Sequence, residues 1–242
     1  MGASQRGLII VPAYNEERNI RGVLDELARY RRDFDVLVVN DGSSDTTEGL
    51  VRSAGVLQAI LPCNLGYSRA VQTGLRFGVR NRYPLIILFD ADGQHAAADI
   101  PNLVAPLFGG EADFTIGSRY LSGMSDSPRF DFGRRIGQRL FAGFTSFMAW
   151  TTLSDTTSGF KAMTCDVAEE LLRAQFVDLH SEVLVYLIRC GFRVKEVPIK
   201  IRARGHGRSM YSLVSYVTYP FQTGLMACLG WVAGSLRRAG RG

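Results

Sequence analysis

Features that define several other protein classes are scarce in this sequence of 242 residues. The chain has only four cysteines, with no C-x-x-C pair and no histidine near any of them. They are Cys63, Cys165, Cys190 and Cys228. This spacing indicates neither a zinc site nor a disulfide framework, so we expect a reducing compartment. The residues before Leu8 form no apolar segment, and we therefore expect no secretory signal.

Lysine is also scarce, because three of the 28 basic residues are lysine and the other 25 are arginine. The charges are divided unevenly along the chain. Residues 1–117 carry 11 basic and 14 acidic side chains, a balance of −3, whereas residues 118–242 carry 17 and 9, a balance of +8. Arginine can bind a phosphate group with two parallel hydrogen bonds. The second half of the chain therefore indicates an anionic partner.

Charge is absent altogether from residues 209–236, and three arginines follow at 237, 238 and 241. Pro220 interrupts this stretch, and the 16 residues after it are fewer than the ~20 apolar residues that a membrane span needs. We predict that residues 209–242 form helices at a membrane interface, with the arginines facing anionic headgroups. The alternative is a helix packed into a soluble core or a dimer interface. On either interpretation, residues 1–208 form the main domain.

The remaining composition is that of a globular protein, with 46% apolar and 21% charged residues. Short apolar runs alternate with amphipathic stretches, and this pattern predicts an α/β fold with a mostly parallel central sheet and helices on both faces. The predicted strands are 8–11, 36–39, 57–61, 85–89, 113–117 and 192–201. The predicted helices cover about 15–30, 67–81, 134–150, 166–174 and 180–190, and another helix is predicted to follow Asp45.

The pair Asp90 and Asp92 follows the most apolar predicted strand. Carboxylates two residues apart leave a strand on the same side, and their repulsion is relieved by a divalent cation or a proton. Oxygen ligands suit Mg²⁺ or Mn²⁺ rather than Zn²⁺, and Mg²⁺ commonly joins a protein carboxylate to a substrate phosphate. Gln94 lies within reach of the same ion. A simple turn or helix cap is the alternative interpretation, for Asp92 in particular.

A second polar segment, Asn40–Asp45, follows the second strand. It offers a carboxylate to a ribose hydroxyl or a base N–H, and Asp45 is best explained as the cap of the following helix. The segment has neither the G-x-G-x-x-G pattern of a dinucleotide fold nor the G-x-x-x-x-G-K-[ST] pattern of a P-loop. Dehydrogenases and P-loop NTPases are therefore disfavoured.

Eight motifs occur together in the order typical of one family. They are Val11–Glu16, Val39–Asp45, Asn64–Gly66, Asp90–His95, Gly117–Tyr120, Asp155–Phe160, Glu196–Ile199 and Arg204–Ser209. On these motifs the chain resembles a GT-A glycosyltransferase of family 2, close to the dolichyl- and polyprenyl-phosphate mannosyl- and glucosyltransferases. The resemblance covers residues 7–212.

The resemblance implies a GT-A fold and specific residue roles. Asp90, Asp92 and Gln94 would hold the metal, and Arg119 with Arg134 or Arg135 would receive the phosphate of a lipid acceptor. Asp90, Asp92, Asp155 and Arg119 are the expected catalytic residues. The residues expected to bind the nucleotide sugar are Pro12, Tyr14, Glu16, Asp41, Asn64, Gly66, Asp90, Ala91, Asp92, Arg204 and Ser209.

The expected activity is metal-dependent, inverting transfer of a hexose to a polyprenyl monophosphate, with mannose from GDP-mannose as the first choice. UDP-glucose is the alternative donor, and a hydroxyl group is the alternative acceptor, in which case Asp155 becomes the leading candidate for the general base. A noncatalytic nucleotide-sugar-binding scaffold and a nucleotidyltransferase are weaker alternatives. We expect an enzyme on the cytoplasmic face of a membrane, with no nucleic-acid partner.

Overall fold

The computed structural model describes residues 6–119, 121, 154–155, 158–174, 181–202 and 229–237. Several predictions fall outside these ranges. They concern the helix over 134–150, most of the segment 209–242, and the site residues Arg134, Arg135, Arg204 and Ser209. The division of the chain after residue 208 stays a prediction.

Seven strands form one sheet in the order β3-β2-β1-β4-β6-β5-β7. All neighbouring pairs are parallel except those that involve β6, which runs antiparallel to β4 and β5. The predicted α/β class and mostly parallel sheet are therefore confirmed. The strands are β1 Gly7–Ala13, β2 Phe34–Asn40, β3 Leu57–Ile60, β4 Leu85–Leu88, β5 Phe114–Ser118, β6 Lys161–Thr164 and β7 Val194–Pro198.

Helices cover both faces of this sheet, and each face has its own buried apolar cluster. In α3 the absence of side chains at Gly74 and Gly78 allows close contact with the sheet, since a Cβ atom there would lie 2.4 Å from Ile10 and 2.6 Å from Ile86. The helices are α1 Ile20–Leu27, α2 Thr47–Ser53, α3 Tyr67–Arg80, α4 Ile100–Phe108, α5 Cys165–Arg173 and α6 Ser181–Arg189.

Three features differ from the sequence expectations. Helix α1 begins at Ile20 rather than near residue 15, because hydrogen bonds to the loop after β2 hold the backbone of residues 15–17 outside a helix. Helix α4 was not predicted, and Pro106 inside it is an unfavourable helix signal, whereas Pro101 lies in the first turn, where proline is tolerated. Strand β6 was not predicted because Lys161–Thr164 forms neither a continuous apolar run nor an apolar–polar alternation.

Residues 229–237 are helical and pack on α6. Two glycines make this contact close, since a Cβ atom at Gly230 would lie 2.6 Å from the Glu182 carbonyl oxygen and one at Gly234 would lie 2.6 Å from Arg189 Cβ. The Arg189 guanidinium also lies 4.8 Å from the centre of the Trp231 ring. Among the residues that the structure describes, no helix is long and apolar enough to cross a bilayer.

Candidate active site

The carboxyl ends of β1, β2 and β4 meet at one edge of the sheet, where ligands bind in open α/β folds. Asp90 lies at this edge, two residues beyond the end of β4. The Tyr67 hydroxyl donates a hydrogen bond to Asp90 Oδ1 (2.9 Å), and His95 Nε2 lies 3.2 Å from Asp90 Oδ2. A Cβ atom at Gly159 would lie only 2.0 Å from the same Oδ2. Asp90 is therefore fixed by two polar contacts and by one close backbone approach.

These contacts set the charge of Asp90. Burial alone raises its pKa, but hydrogen bonding to His95 and Tyr67 and the nearby Lys161 charge outweigh that effect. The pKa of Asp90 is consequently held below its usual value, and the carboxylate is ionised at neutral pH. His95 is itself fixed, since its ring stacks on Phe160 at a centroid distance of 5.1 Å.

The rest of the D-x-D segment forms a tight turn. Asp92 is buried and accepts a hydrogen bond from the Gln94 backbone N–H through Oδ1 (3.0 Å), while Ala91 packs in the core. The backbone N–H of Arg202 donates to the Gln94 carbonyl oxygen (2.9 Å). This contact brings the chain that leads to the predicted Arg204 motif to the edge of the sheet beside Asp90 and Asp92.

The loops after β1 and β2 are joined by hydrogen bonds that involve mainly backbone amides. The N–H groups of Asn15, Glu16 and Glu17 donate to the side chains of Ser43, Thr47 and Asp45, respectively. Asp45 also accepts from the N–H of Thr47 (3.0 Å), the first residue of α2, whereas the N-cap position itself is occupied by Thr46, whose side chain makes no capping hydrogen bond. Partial burial raises the pKa of Asp45, but these hydrogen bonds lower it below its usual value.

Asp41 lies within this loop pair and is 2% exposed. Its two carboxylate oxygens accept hydrogen bonds from the N–H groups of Leu65 and Gly66, each at 2.8 Å. Asn64 Oδ1 also accepts from Gly66 (3.0 Å), whose positive φ of 94° favours glycine just before α3. In this structure Asp41 therefore holds the 64–66 loop beside the edge of the sheet. Nucleotide contacts by Asp41, Asn64 and Gly66 remain predictions.

Three other predicted nucleotide-binding residues lie in β1 and the loop that follows it. Pro12 is a buried residue of β1. Tyr14 is 44% exposed. Glu16 accepts a hydrogen bond from the Asn19 side chain (2.7 Å). Their expected contacts with a base and ribose stay predictions.

Arg119, directly after β5, forms a two-point ion pair with Asp155. Its Nε donates to Asp155 Oδ2 and its Nη2 donates to Oδ1, each at 2.6 Å, while its backbone N–H also reaches Oδ2 (3.1 Å). The Asp155 side chain is 1% exposed and that of Arg119 is 24% exposed. Asp155 therefore fixes the direction in which the Arg119 guanidinium points.

Glu196 of β7 holds the segment that carries Asp155. Its Oε1 accepts from the N–H groups of Ser154 (2.8 Å) and Asp155 (2.6 Å), and its Oε2 accepts from the Ser154 hydroxyl (2.7 Å). Glu196 begins one of the eight motifs, but no role was predicted for it from the sequence. These contacts make it a positioning residue for the Arg119–Asp155 pair.

Lys161, the first residue of β6, is a buried cation at the same edge. It is 4% exposed and interacts electrostatically with the carboxylates of Asp90, Asp155 and Glu182. Burial lowers the pKa of the Lys161 ammonium group to about 8, although the three carboxylates favour its charged form. Neither Lys161 nor Glu182 is among the candidate site residues that the sequence predicted. The one sequence signal for a buried lysine at this position was that apolar residues, Phe160 and Ala162, stand on both sides of it.

The acidic set at this edge fits Mg²⁺ or Mn²⁺. Over the described ranges, no three His, Cys, Asp or Glu side chains gather as a metal-binding group. Two carboxylates, Asp90 and Asp92, and the amide oxygen of Gln94 are the donors of the D-x-D turn. Such a set suits a hard cation that completes its coordination with water and substrate phosphate rather than with protein alone.

A cavity of about 650 Å³ lies at the opposite edge of the sheet, near the amino ends of β1 and β4. Its lining is mostly apolar and includes Tyr30, Phe34 and Phe108, with Asp33 as an acidic member. It is remote from Asp90 and Arg119. Because Asp90, Asp155 and Lys161 lie together at the carboxyl ends of the parallel strands, we assign the candidate site to that edge of the sheet.

Comparisons with known proteins found related sequences and structures. A family model described as "Glycosyl transferase family 2" matches residues 8–172. The chain is 28% identical over 221 residues to the polyprenol monophosphomannose synthase of Mycolicibacterium smegmatis, across 86% of this chain and 82% of that protein. It is 27% identical over 212 residues to the UDP-N-acetylglucosamine–dolichyl-phosphate N-acetylglucosaminyltransferase of Methanococcus voltae, across 79% and 84% of the two chains.

A solved structure shares the fold. The glucosyl-3-phosphoglycerate synthase of Mycobacterium tuberculosis, crystallised with Mn²⁺, UDP and glucosyl-3-phosphoglycerate, superposes with a TM-score of 0.64. The match covers 93% of this chain and 80% of that one at 17% identity. The expected GT-A architecture is therefore confirmed.

Proposed function

The chain belongs to glycosyl transferase family 2, and from that premise we propose that it transfers a hexose from a nucleotide sugar to a polyprenyl or dolichyl monophosphate. One observation in the structure carries the acceptor side of this proposal. The two-point Arg119–Asp155 pair presents an oriented guanidinium close to the Asp90 edge. Both named relatives described above act on a polyprenyl or dolichyl phosphate.

On the donor side, the loops after β1 and β2 are joined to each other by hydrogen bonds. We propose that Pro12, Tyr14, Glu16 and Asp41 line the base and ribose, of which Tyr14 is the most exposed. The proposed place for the diphosphate is between Asp90 and the chain that follows Arg202.

Asp90, Asp92 and Gln94 would hold Mg²⁺ or Mn²⁺ against the diphosphate. A divalent cation supplies charge stabilisation to the departing nucleoside diphosphate. The chain's own contribution is to keep Asp90 ionised and directed towards the edge of the sheet through Tyr67 and His95. The structural relative that was crystallised with Mn²⁺ and UDP supports this assignment.

On the acceptor side, a phosphate monoester is anionic at pH 7, so it needs orientation rather than deprotonation. In the proposed step an acceptor phosphate oxygen forms a bond to the anomeric carbon while the bond from that carbon to the diphosphate breaks. The nucleoside diphosphate leaves and the anomeric configuration is inverted. We propose that Arg119 orients the acceptor and that Asp155, whose two oxygens bind Arg119, is not the general base.

Incubation with candidate donors and acceptors tests the proposal directly. Purified protein is incubated with radiolabelled GDP-mannose, UDP-glucose or UDP-N-acetylglucosamine and a polyprenyl phosphate, with Mn²⁺ or with EDTA. We expect label in the organic phase with one donor and its loss in EDTA. GDP-mannose remains our first choice and UDP-glucose the alternative. Transfer only to a water-soluble hydroxyl acceptor, or release of inorganic diphosphate, would contradict the proposal.

Asp155→Asn distinguishes a phosphate acceptor from a hydroxyl acceptor. If Asp155 only orients Arg119, the variant raises the acceptor KM by about 10-fold, and the pH dependence of kcat keeps its shape. Loss of a base would instead remove the acidic limb of the kcat profile. Arg119→Lys, which keeps the charge but not the two-point geometry, is the matched variant and should show the same rise in KM.

We also propose that the enzyme binds to the cytoplasmic face of a membrane through the helix at residues 229–237. Leu229, Val232 and Leu236 are 55%, 46% and 69% exposed and lie on one face of that helix, while Gly230 and Gly234 on another face pack against α6. Arg238 and Arg241 follow in the sequence. An apolar face beside cations is typical of helices that lie in a membrane interface.

Sedimentation with vesicles that contain phosphatidylglycerol tests this membrane contact. The double variant Val232→Ser/Leu236→Ser should reduce vesicle binding by at least about 10-fold, because it removes apolar surface that the membrane would bury. Phe108→Ser is the matched control, since Phe108 is 72% exposed at the opposite edge of the sheet. Equal binding by the double variant and the control would contradict the assignment.

A further inference from the structure

Lys161 has a position that the proposed chemistry does not yet explain. It is 4% exposed, and β6 places it between the two strands that lead to the reacting groups. Its register partner on β4 is Leu88, two residues before Asp90, and its partner on β5 is Ile116, three residues before Arg119. Lys161 therefore stands between the predicted metal carboxylate and the Arg119–Asp155 pair.

A buried lysine is costly unless compensating charges surround it. The compensation here is provided by Asp90, Asp155 and Glu182, all of which interact electrostatically with the Lys161 ammonium group. Asp155 and Glu182 are 2% and 5% exposed. The cluster formed by these three carboxylates, Lys161 and Arg119 carries three negative and two positive charges. That excess of one negative charge is suited to a site that receives a divalent cation.

We propose that Lys161 is a positioning residue that holds Asp90 and Asp155 at a fixed separation, so that the donor and acceptor phosphates face each other. This inference rests on the proposed function. Its geometric basis is the position of β6 between β4 and β5. Because β6 is antiparallel to both, its first residue, Lys161, lies beside the carboxyl ends of those two strands. The cation attracts both carboxylates at once and so couples the two sides of the site.

Glu182 supplies the charge behind Lys161. It lies in the first turn of α6, and its backbone carbonyl oxygen borders Gly230 of the C-terminal helical residues. Its side chain is buried, and its carboxylate interacts electrostatically with the Lys161 ammonium group. The structure assigns Glu182 to the balance of charge and Lys161 to the spacing of Asp90 and Asp155, and the two assignments can be separated by mutation.

A double-mutant cycle makes that separation. The variants are Lys161→Met, Glu182→Gln and the pair combined, with Lys161→Arg as the conservative replacement. A matched cycle at the exposed ion pair of Lys195 and Glu111 controls for the loss of a lysine and a glutamate far from the site. For every variant we measure kcat, KM for both substrates and the melting temperature. Mn²⁺ binding in the presence of GDP or UDP is measured from the electron paramagnetic resonance of free Mn²⁺.

We expect Lys161→Met to lower kcat by about 100-fold with less than a threefold change in donor KM. Mn²⁺ binding should be unchanged or tighter, because a cation beside Asp90 has been removed. Lys161→Arg should recover activity to within about 10-fold of wild type. The combined variant should melt close to wild type, since no buried charge is left without its partner, yet its kcat should stay low.

Three results would overturn the inference. The first is a kcat for Lys161→Met within fivefold of wild type. The second is recovery of kcat in the combined variant, which would show that Lys161 serves only to neutralise Glu182. The third is loss of Mn²⁺ and nucleotide binding in proportion to kcat, which would show a collapse of the site rather than a change of spacing.

If the proposed function is wrong, the result is distinguishable from the three results above. In that case wild-type protein would transfer no sugar to any polyprenyl phosphate, whatever the state of Lys161. The same cycle would then be measured with the acceptor that wild type does use. Loss of turnover with retained Mn²⁺ and nucleotide binding would still support the role of Lys161.

Discussion

The two halves of the candidate site are built by different means. The donor half, formed by the loops after β1 and β2, is held by hydrogen bonds in which backbone amides meet the side chains of Ser43, Asp45 and Thr47. The acceptor half, formed around β5, β6 and β7, is held by buried charged side chains such as Asp155 and Lys161.

This difference has an energetic consequence. Most hydrogen bonds of the donor half are at least partly exposed, so water can replace a lost partner at a cost of about 0.5–1.5 kcal/mol. In the acceptor half, removal of one ion leaves another buried without compensation, which commonly costs ~3–5 kcal/mol. We therefore expect the donor half to tolerate substitution and the acceptor half, together with Asp90, to be sensitive to it.

The largest effect is expected from Asp90→Asn, compared with the same change at Asp45. Asp90→Asn should lower kcat at least about 10³-fold, because it removes the ionised oxygen that would bind the cation. Asp45→Asn should stay within about threefold of wild type, since it loses one exposed hydrogen bond. Steady-state transfer assays measure both. Equal losses would contradict the expectation that Asp90 is far more sensitive than the loops of the donor half.

The next effect concerns Gly159, which packs against Asp90. Gly159→Ala places a methyl group where Asp90 Oδ2 now lies, so we expect kcat to fall by about 100-fold while the melting temperature changes by only a few degrees. Gly22→Ala is the matched control on α1, where a Cβ atom meets nothing within 4 Å. That control should raise stability by up to about 1 kcal/mol and leave transfer unchanged.

A smaller effect is expected at Asp41, the buried carboxylate of the donor half. Asp41→Asn replaces one of the two oxygens that accept the Leu65 and Gly66 amides, and should cost about 1–3 kcal/mol of unfolding free energy. Donor KM should rise more than kcat falls, because the disturbed loop lies on the donor side. Urea denaturation and donor titration measure the two effects. A change in acceptor KM alone would contradict this assignment.

The smallest effect tests buried charge outside the site, at Glu170 of α5. Burial raises the pKa of Glu170, but hydrogen bonding to Tyr186 and pairing with Arg173 and Arg237 hold it below its usual 4.5. Its stabilising contribution is therefore present above pH 4.5 and is lost as pH falls through the folded-state pKa. Between pH 7 and pH 3, wild type should lose ~2–4 °C more in melting temperature than Glu170→Gln. Parallel melting curves would contradict this contribution.

Sequence reasoning recovered the donor half better than the acceptor half. Asp45 and Asp90 follow predicted strands directly, so the rule that ligands bind at the carboxyl ends of parallel strands located them. Glu196 and Asp155 are 41 residues apart and Lys161 belongs to an unpredicted strand, so no local pattern indicated their contacts. Asp41 was placed on the correct edge, but its two backbone hydrogen bonds depend on a loop 24 residues away.

The reversed direction of β6 has a consequence for how this architecture can diversify. Because β6 runs against its two neighbours, it presents its first residue, Lys161, at the edge where β4 and β5 present their last ones. A substitution at that one position would change the chemistry of the edge while strand order and register stay intact.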